Sequence, residues 1–134
     1  MRTAAMTDLS ASWVDGRPDL HWRSAVGTSP GDGARASGTS LLEVDPGCAL
    51  PRHTDSAEEV VVVVSGTAEV ELEGESTTVA AGGVALIPQD APHQVRNAGD
   101  DVLRFVAVYA GVDVVTTYEA DVQPDGGRER QTIG

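Results

Sequence analysis

Valine-rich runs of four to eight residues recur between residues 20 and 118, separated by clusters of glycine, proline and aspartate. No stretch keeps apolar residues at the three and four spacing of an amphipathic helix, so the pattern predicts an all-β protein. Strands are expected at residues 20–25, 37–44, 59–64, 68–72, 76–79, 84–87, 93–97, 102–109 and 114–118. Ser65-Gly66-Thr67 and Glu73-Gly74-Glu75 read as hairpin turns, and residues 98–101, with Gly99 and Asp100 at the centre, as a further turn. Strands joined so closely are expected to be antiparallel neighbours. Residues 28–36 contain Pro30, Gly31 and Gly33 and read as a mobile loop. Residues 1–12 read as a flexible arm. Residues 123–134, polar and with adjacent glycines, read as a flexible tail. A single barrel domain with an N-terminal strand extension is left at residues 13–122.

Composition narrows the chemistry. The 134 residues, 40% of them hydrophobic, suit one domain with its own core. Cys48 is the only cysteine, which rules out an internal disulfide and a multi-cysteine zinc cluster within one chain; it is expected to be a small buried residue. The first twelve residues lack the apolar run of a signal peptide and no run is long enough to span a bilayer, so a cytoplasmic protein without a membrane partner is expected. Twenty-one acids stand against nine arginines and no lysine, a net charge of -12 that repels nucleic acid and anionic lipid. The missing lysine also excludes Schiff-base chemistry and a phosphate-loop lysine. Chemistry therefore falls to histidines and carboxylates.

Four such residues form a pattern: His53, Asp55, Glu59 and His93. His53 and Asp55 are two apart, so on an extended strand both side chains leave the same face and can converge on one ion. Glu59 shares its face with Val61 and Val63 in a run of five valines that is apolar on both sides, where a carboxylate needs a cation or hydrogen-bonding partner to offset burial. His93 follows a turn held by Pro88 and Pro92 and opens a strand that places His93, Val95 and Asn97 on one face.

These residues resemble the cupin superfamily. Gly47, His53, Asp55, Glu59 and Gly66 fit the first cupin motif in spacing, and Gly82, Pro88, His93 and Asn97 fit the second. The resemblance implies a double-stranded β-helix, or jelly-roll, barrel with a metal near its wider mouth. It further implies that His53, Glu59 and His93 are three of four ligands. Asp55 stands where the motif has its second histidine, and Asp90 where it has a glycine, a position whose left-handed backbone aspartate tolerates. A two-histidine, two-carboxylate site, a two-histidine, one-carboxylate triad with either acid, and a cupin without a metal all remain open.

Imidazole plus carboxylate favours a divalent metal ion, Fe(II) or Mn(II) first and Zn(II) next, over soft Cu(I). Whichever of Asp55 and Glu59 is uncoordinated is the candidate catalytic base. Arg104, on a later strand, is a candidate for binding a substrate carboxylate. With His53, Asp55 and His93 it also resembles the His-x-Asp, His, Arg order of 2-oxoglutarate-dependent oxygenases. Trp13, Trp22, Phe105, Tyr109 and Tyr118 are expected in the core. The leading expectation is a metal-dependent enzyme acting on a small organic molecule as an oxygenase, isomerase, cyclase or lyase. The rival is a non-catalytic cupin that binds or senses a small ligand. A homodimer is expected, through exchange of the strand at residues 20–25.

Overall fold

The computed structural model describes residues 1–134 and contains twelve strands in two six-stranded antiparallel sheets. In chain order they are β1 (Ser10–Val14), β2 (Arg17–Thr28), β3 (Gly38–Val44), β4 (His53–Asp55), β5 (Glu59–Ser65), β6 (Thr67–Leu72), β7 (Glu75–Ala80), β8 (Val84–Ile87), β9 (His93–Asn97), β10 (Leu103–Tyr109), β11 (Val114–Val122) and β12 (Gly127–Ile133). One sheet runs β1-β2-β3-β10-β5-β8 and the other β12-β11-β4-β9-β6-β7. The inward faces enclose a core around Trp22, Phe105, Leu103, Ile87 and Ile133.

Alternation sets which residues face that core. Along β10, Leu103, Phe105, Ala107 and Tyr109 are buried while Arg104, Val106 and Val108 are part-exposed. The same period along β5 buries Glu59, Val61 and Val63 and turns Val60, Val62 and Val64 outward. Nine of the twelve strands fall on the expected runs, β1, β4 and β12 being the additions, and 84–87 and 93–97 coincide with β8 and β9.

Of the three expected turns, one joins antiparallel neighbours and two do not. Glu73 and Gly74, both at positive φ, do close the β6-β7 hairpin. Ser65-Gly66-Thr67 does not make a hairpin: β5 and β6 lie in different sheets, and the chain crosses between them at Gly66. A Cβ at Gly66, whose φ is +82°, would stand 2.9 Å from the Val102 carbonyl oxygen, so only glycine fits this corner. Residues 98–101 likewise carry the chain between sheets, from β9 to β10. A short turn of 3-10 helix, Pro30–Asp32, lies in the loop between β2 and β3.

The ends of the chain also differ from the expected arm and tail. β1 begins at Ser10, inside the expected arm, and Ser12 is buried. Residues 127–133 form a strand paired along β11, and Ile133 is buried against Gly38, where an added Cβ would come within 2.5 Å of Ile133. Hydropathy alone hid this strand because it is an edge strand with one apolar anchor; the Pro124-Asp125-Gly126 run before it is a turn signal. The strand that was to be exchanged is flanked within its own chain by β1 and β3. Trp13 is exposed, its indole N–H donating to Asp15 at 3.1 Å, while Trp22, Phe105, Tyr109 and Tyr118 are buried as expected. Cys48 is half-buried and packs against the core's edge.

Candidate metal centre

His53 on β4 and His93 on β9 are direct register partners, which places their rings side by side with centroids 4.3 Å apart. Asp55 follows His53 on the same inward face. Glu59 arrives from the opposite sheet, opening β5. All four side chains are buried. Asp90 holds the turn before β9: it adopts φ 62° and its N–H donates to the Asp55 carbonyl oxygen at 2.9 Å, tying the two motif segments together.

Hydrogen bonding aims the ring nitrogens. Each histidine Nδ1 lies against a carbonyl two residues earlier, Pro51 at 2.7 Å for His53 and Ala91 at 2.9 Å for His93. A carbonyl oxygen only accepts, so each Nδ1 carries a hydrogen, and each ring in its neutral form presents its Nε2 lone pair to the cavity. Asp55 Oδ1 accepts a hydrogen bond from the Thr116 hydroxyl at 2.6 Å, and Thr116 is in turn hydrogen-bonded to Thr132. Asp55 Oδ2 has no hydrogen-bond partner although it is fully buried; it lies 3.4 Å from His93 Nε2 and 3.7 Å from His53 Nε2.

This donor set fits a divalent cation. Two imidazole lone pairs and an unsatisfied carboxylate oxygen converge, with ligand atoms of His53, Asp55 and His93 all within 4.8 Å of one another. Glu59 Oε1 is 3.1 Å from His93 Nε2. Two acceptors at that distance need a proton or a cation between them. Burial pushes Glu59 up to about 7, against the hydrogen bond from His93, with the neighbouring Asp55 charge adding to the rise. Burial and the nearby His93 push His53 down to about 4, keeping its ring neutral. For His93 burial acts downward, but the hydrogen bond and charge of Glu59 carry it above its ordinary value.

The centre opens into a cavity of about 310 Å³ whose walls include Trp22, Phe105, Tyr109, Tyr118 and Arg130. Arg104 is absent from it. The residue is on the outward face of β10, where its Nε donates to Glu43 at 2.8 Å, so it is corrected from a substrate ligand to an outer-surface ion pair. That also removes the arginine from the order shared with 2-oxoglutarate-dependent oxygenases. Two residues of the site were not foreseen. Thr116 faces inward on β11 two positions before Tyr118, an alternation that could have marked it. Arg130 was hidden by the reading of its strand as a tail. Ser29 stands in a Gly27-Thr28-Ser29-Pro30-Gly31 run with the spacing of a nucleophile elbow, but its hydroxyl contacts Asp32 rather than a histidine.

The family model for the cupin domain matches residues 40–109, a segment that holds both histidines and both carboxylates. The chain is a cupin. Over 75 residues this cupin is 37% identical to a Streptomyces cyaneus protein named polyketide synthase CurC; the match takes in 55% of this chain and 49% of the relative, so the chain spans about half the length of that relative. Among solved structures it is similar to the oxalate decarboxylase of Lactobacillus farciminis in its formate complex, with TM-score 0.71 and 22% identity over 85% of this chain and 34% of that one. The Bacillus subtilis oxalate decarboxylase at pH 4.6 superposes with TM-score 0.67 and 22% identity, covering 73% of this chain and 28% of the other. At such identity the likeness shows the jelly-roll fold alone. No helix of the cupin is long and apolar enough to cross a membrane.

Proposed function

We propose that this cupin is a small metal-dependent enzyme acting on a small organic molecule inside its barrel, through an oxygenase, isomerase, cyclase or lyase reaction. The observation that carries the reading is the buried, unsatisfied Asp55 Oδ2 between the Nε2 atoms of His53 and His93. Such an oxygen is costly to bury unless a proton or cation meets it. His53, Asp55 and His93 would hold the ion, with Glu59 as a fourth donor or as the free base. A divalent first-row cation there, Fe(II) or Mn(II) first and Zn(II) next, would supply Lewis acidity toward a carbonyl or enol oxygen.

The protein's own groups supply the rest. Glu59, pushed up to about 7, is poised to take or give a proton at Oε1 near neutral pH. Trp22, Phe105 and Tyr109 exclude water and offer flat apolar walls to an unsaturated substrate. The relative named polyketide synthase supports a substrate of polyketide type, rich in enolisable carbonyls. We further propose that the cupin works in the cytoplasm as a homodimer.

Metal analysis of protein purified without a histidine tag tests the reading. Near-stoichiometric divalent metal is expected, together with a lower melting temperature after chelation and loss of both effects in the His53→Ala, His93→Ala double variant. Absence of metal with stability indifferent to chelator would favour the rival, a non-catalytic ligand-binding cupin, in which the His93–Glu59 contact at 3.1 Å is a shared proton.

A further inference from the structure

Arg130 is the only arginine lining the cavity, and the other charged residues there are Asp55, Glu59 and, when protonated, His53. Its ion pairing is unlike that of Arg23, Arg52 and Arg104. Arg23 holds Glu43 and Asp45, Arg52 holds Glu71, and Arg104 holds Glu43, each through direct hydrogen bonds. Arg130 instead gives Nη1 to the Ser12 hydroxyl at 2.8 Å and Nη2 to the Gln123 carbonyl at 3.2 Å, both uncharged acceptors. Its one carboxylate neighbour, Asp125, is 3.6 Å from Nε and itself 73% exposed. Nε is buried and makes no hydrogen bond.

The guanidinium is therefore hydrogen-bonded only to neutral partners, and its one ion pair is the long contact of the buried Nε with the exposed Asp125. Its position is tied to the metal centre through one ring. The guanidinium carbon lies 5.9 Å from the centroid of Tyr118, and that ring lies 5.3 Å from His53. Asp55 and Glu59 together balance a divalent cation, so Arg130 is the surplus positive charge of the loaded cavity.

We propose that Arg130 is the anion-binding residue of the cavity and that the substrate is a small carboxylate, its acid group on Arg130 and its reactive oxygen turned toward His53, Asp55 and His93. The second half of that placement rests on the function proposed above; the first half does not. A planar guanidinium whose two Nη groups each keep an N–H beyond the bonds to Ser12 and Gln123 offers a carboxylate charge-assisted hydrogen bonds that a neutral amide or ester of the same shape cannot match. Trp22, Phe105 and Tyr118, which line the same cavity, favour an aromatic or conjugated acid.

The test is calorimetric titration of the metal-loaded protein with benzoate and with benzamide. Wild type is expected to bind benzoate about tenfold more tightly or better, the worth of one charge-assisted hydrogen bond. Arg130→Gln is expected to bring the two ligands together within about twofold, and Arg130→Lys, which keeps the charge without the fork, to retain part of the preference. Equal binding of the two ligands by wild type overturns the proposal. So does a preference that survives in Arg130→Gln, because the metal alone would then be reading the carboxylate. If Arg130→Gln fails to fold, the Arg130→Lys comparison and the wild-type preference decide. Metal content is measured on the same samples: a loaded protein without the preference sinks this inference alone, whereas a protein that takes up no metal sinks the proposed function and leaves the Arg130 comparison to be read on its own.

Discussion

The Thr116 hydroxyl, on β11, donates to Asp55 Oδ1 at 2.6 Å across 61 positions of sequence. It fixes the carboxylate so that the other oxygen, Oδ2, faces the two histidines. A hydroxyl that orients a ligand in this way governs metal affinity without touching the metal. Thr116→Val, nearly the same shape without the donor, is therefore expected to weaken metal binding by about tenfold or more. Thr116→Ser should restore most of it. Competition against a fluorescent chelator measures both, and unchanged affinity in the valine variant would show that Asp55 is held by something else.

Glu59 gives the site a pH signature. Its folded value of about 7 lies above the ordinary 4.5, so the chelated, folded protein keeps a proton that the unfolded chain releases. The associated stability is full below about pH 4.5 and is lost as pH rises through about 7. Glu59→Gln, a permanent mimic of the protonated acid, should be progressively more stable than wild type across that window, by a few kcal/mol at the order-of-magnitude level. Urea titrations of chelated protein at pH 5 and pH 8 measure it. With metal restored the order should reverse at pH 8, because ionised Glu59 then has a cation to face.

Arg104 lies outside the cavity, so Arg104→Gln should leave metal content and ligand affinity unchanged. Loss of its partly exposed pair with Glu43 should cost no more than about 1 kcal/mol. A large fall in ligand affinity would return Arg104 to the site.

Ile133 closes the barrel from the C-terminal strand and is only 1% exposed, packed on Gly38. Ile133→Ala should destabilise the protein by about 2–4 kcal/mol. A change under about 0.5 kcal/mol would mean that β12 contributes little, as a loose tail would.

The homodimer is expected to form through the outer face of the first sheet. Val84, Val62 and Val106 form one register row across β8, β5 and β10, and Leu86, Val60 and Val108 form the next. On a chain of net charge -12 these rows carry no carboxylate, so a second copy meets apolar side chains rather than like charge there. Light scattering should show a dimer for wild type and a 13.9 kDa particle for the Val62→Glu, Leu86→Glu double variant. A wild type that is already 13.9 kDa rejects the dimer.

Much of this was legible along the chain because strand alternation is local. The spacing of His53 and Asp55, the face of Glu59 and the proline-fixed turn before His93 each follow from a side-chain period of two, and together they carried the cupin resemblance. The left-handed turn at Asp90 followed instead from the resemblance, whose motif has glycine at that position. Pairing between distant strands is not local. Which turns fold back and which cross between sheets was decided by the packing of two curved layers, so Ser65-Gly66-Thr67 became a corner and not a hairpin. The support of Asp55 by Thr116 depends on strands 61 residues apart in sequence meeting in space, and Arg130 reaches the cavity only because β12 pairs along β11. A polar edge strand such as β12 gains its place from hydrogen bonds to β11 and one buried isoleucine, contacts that exist only once the barrel has closed.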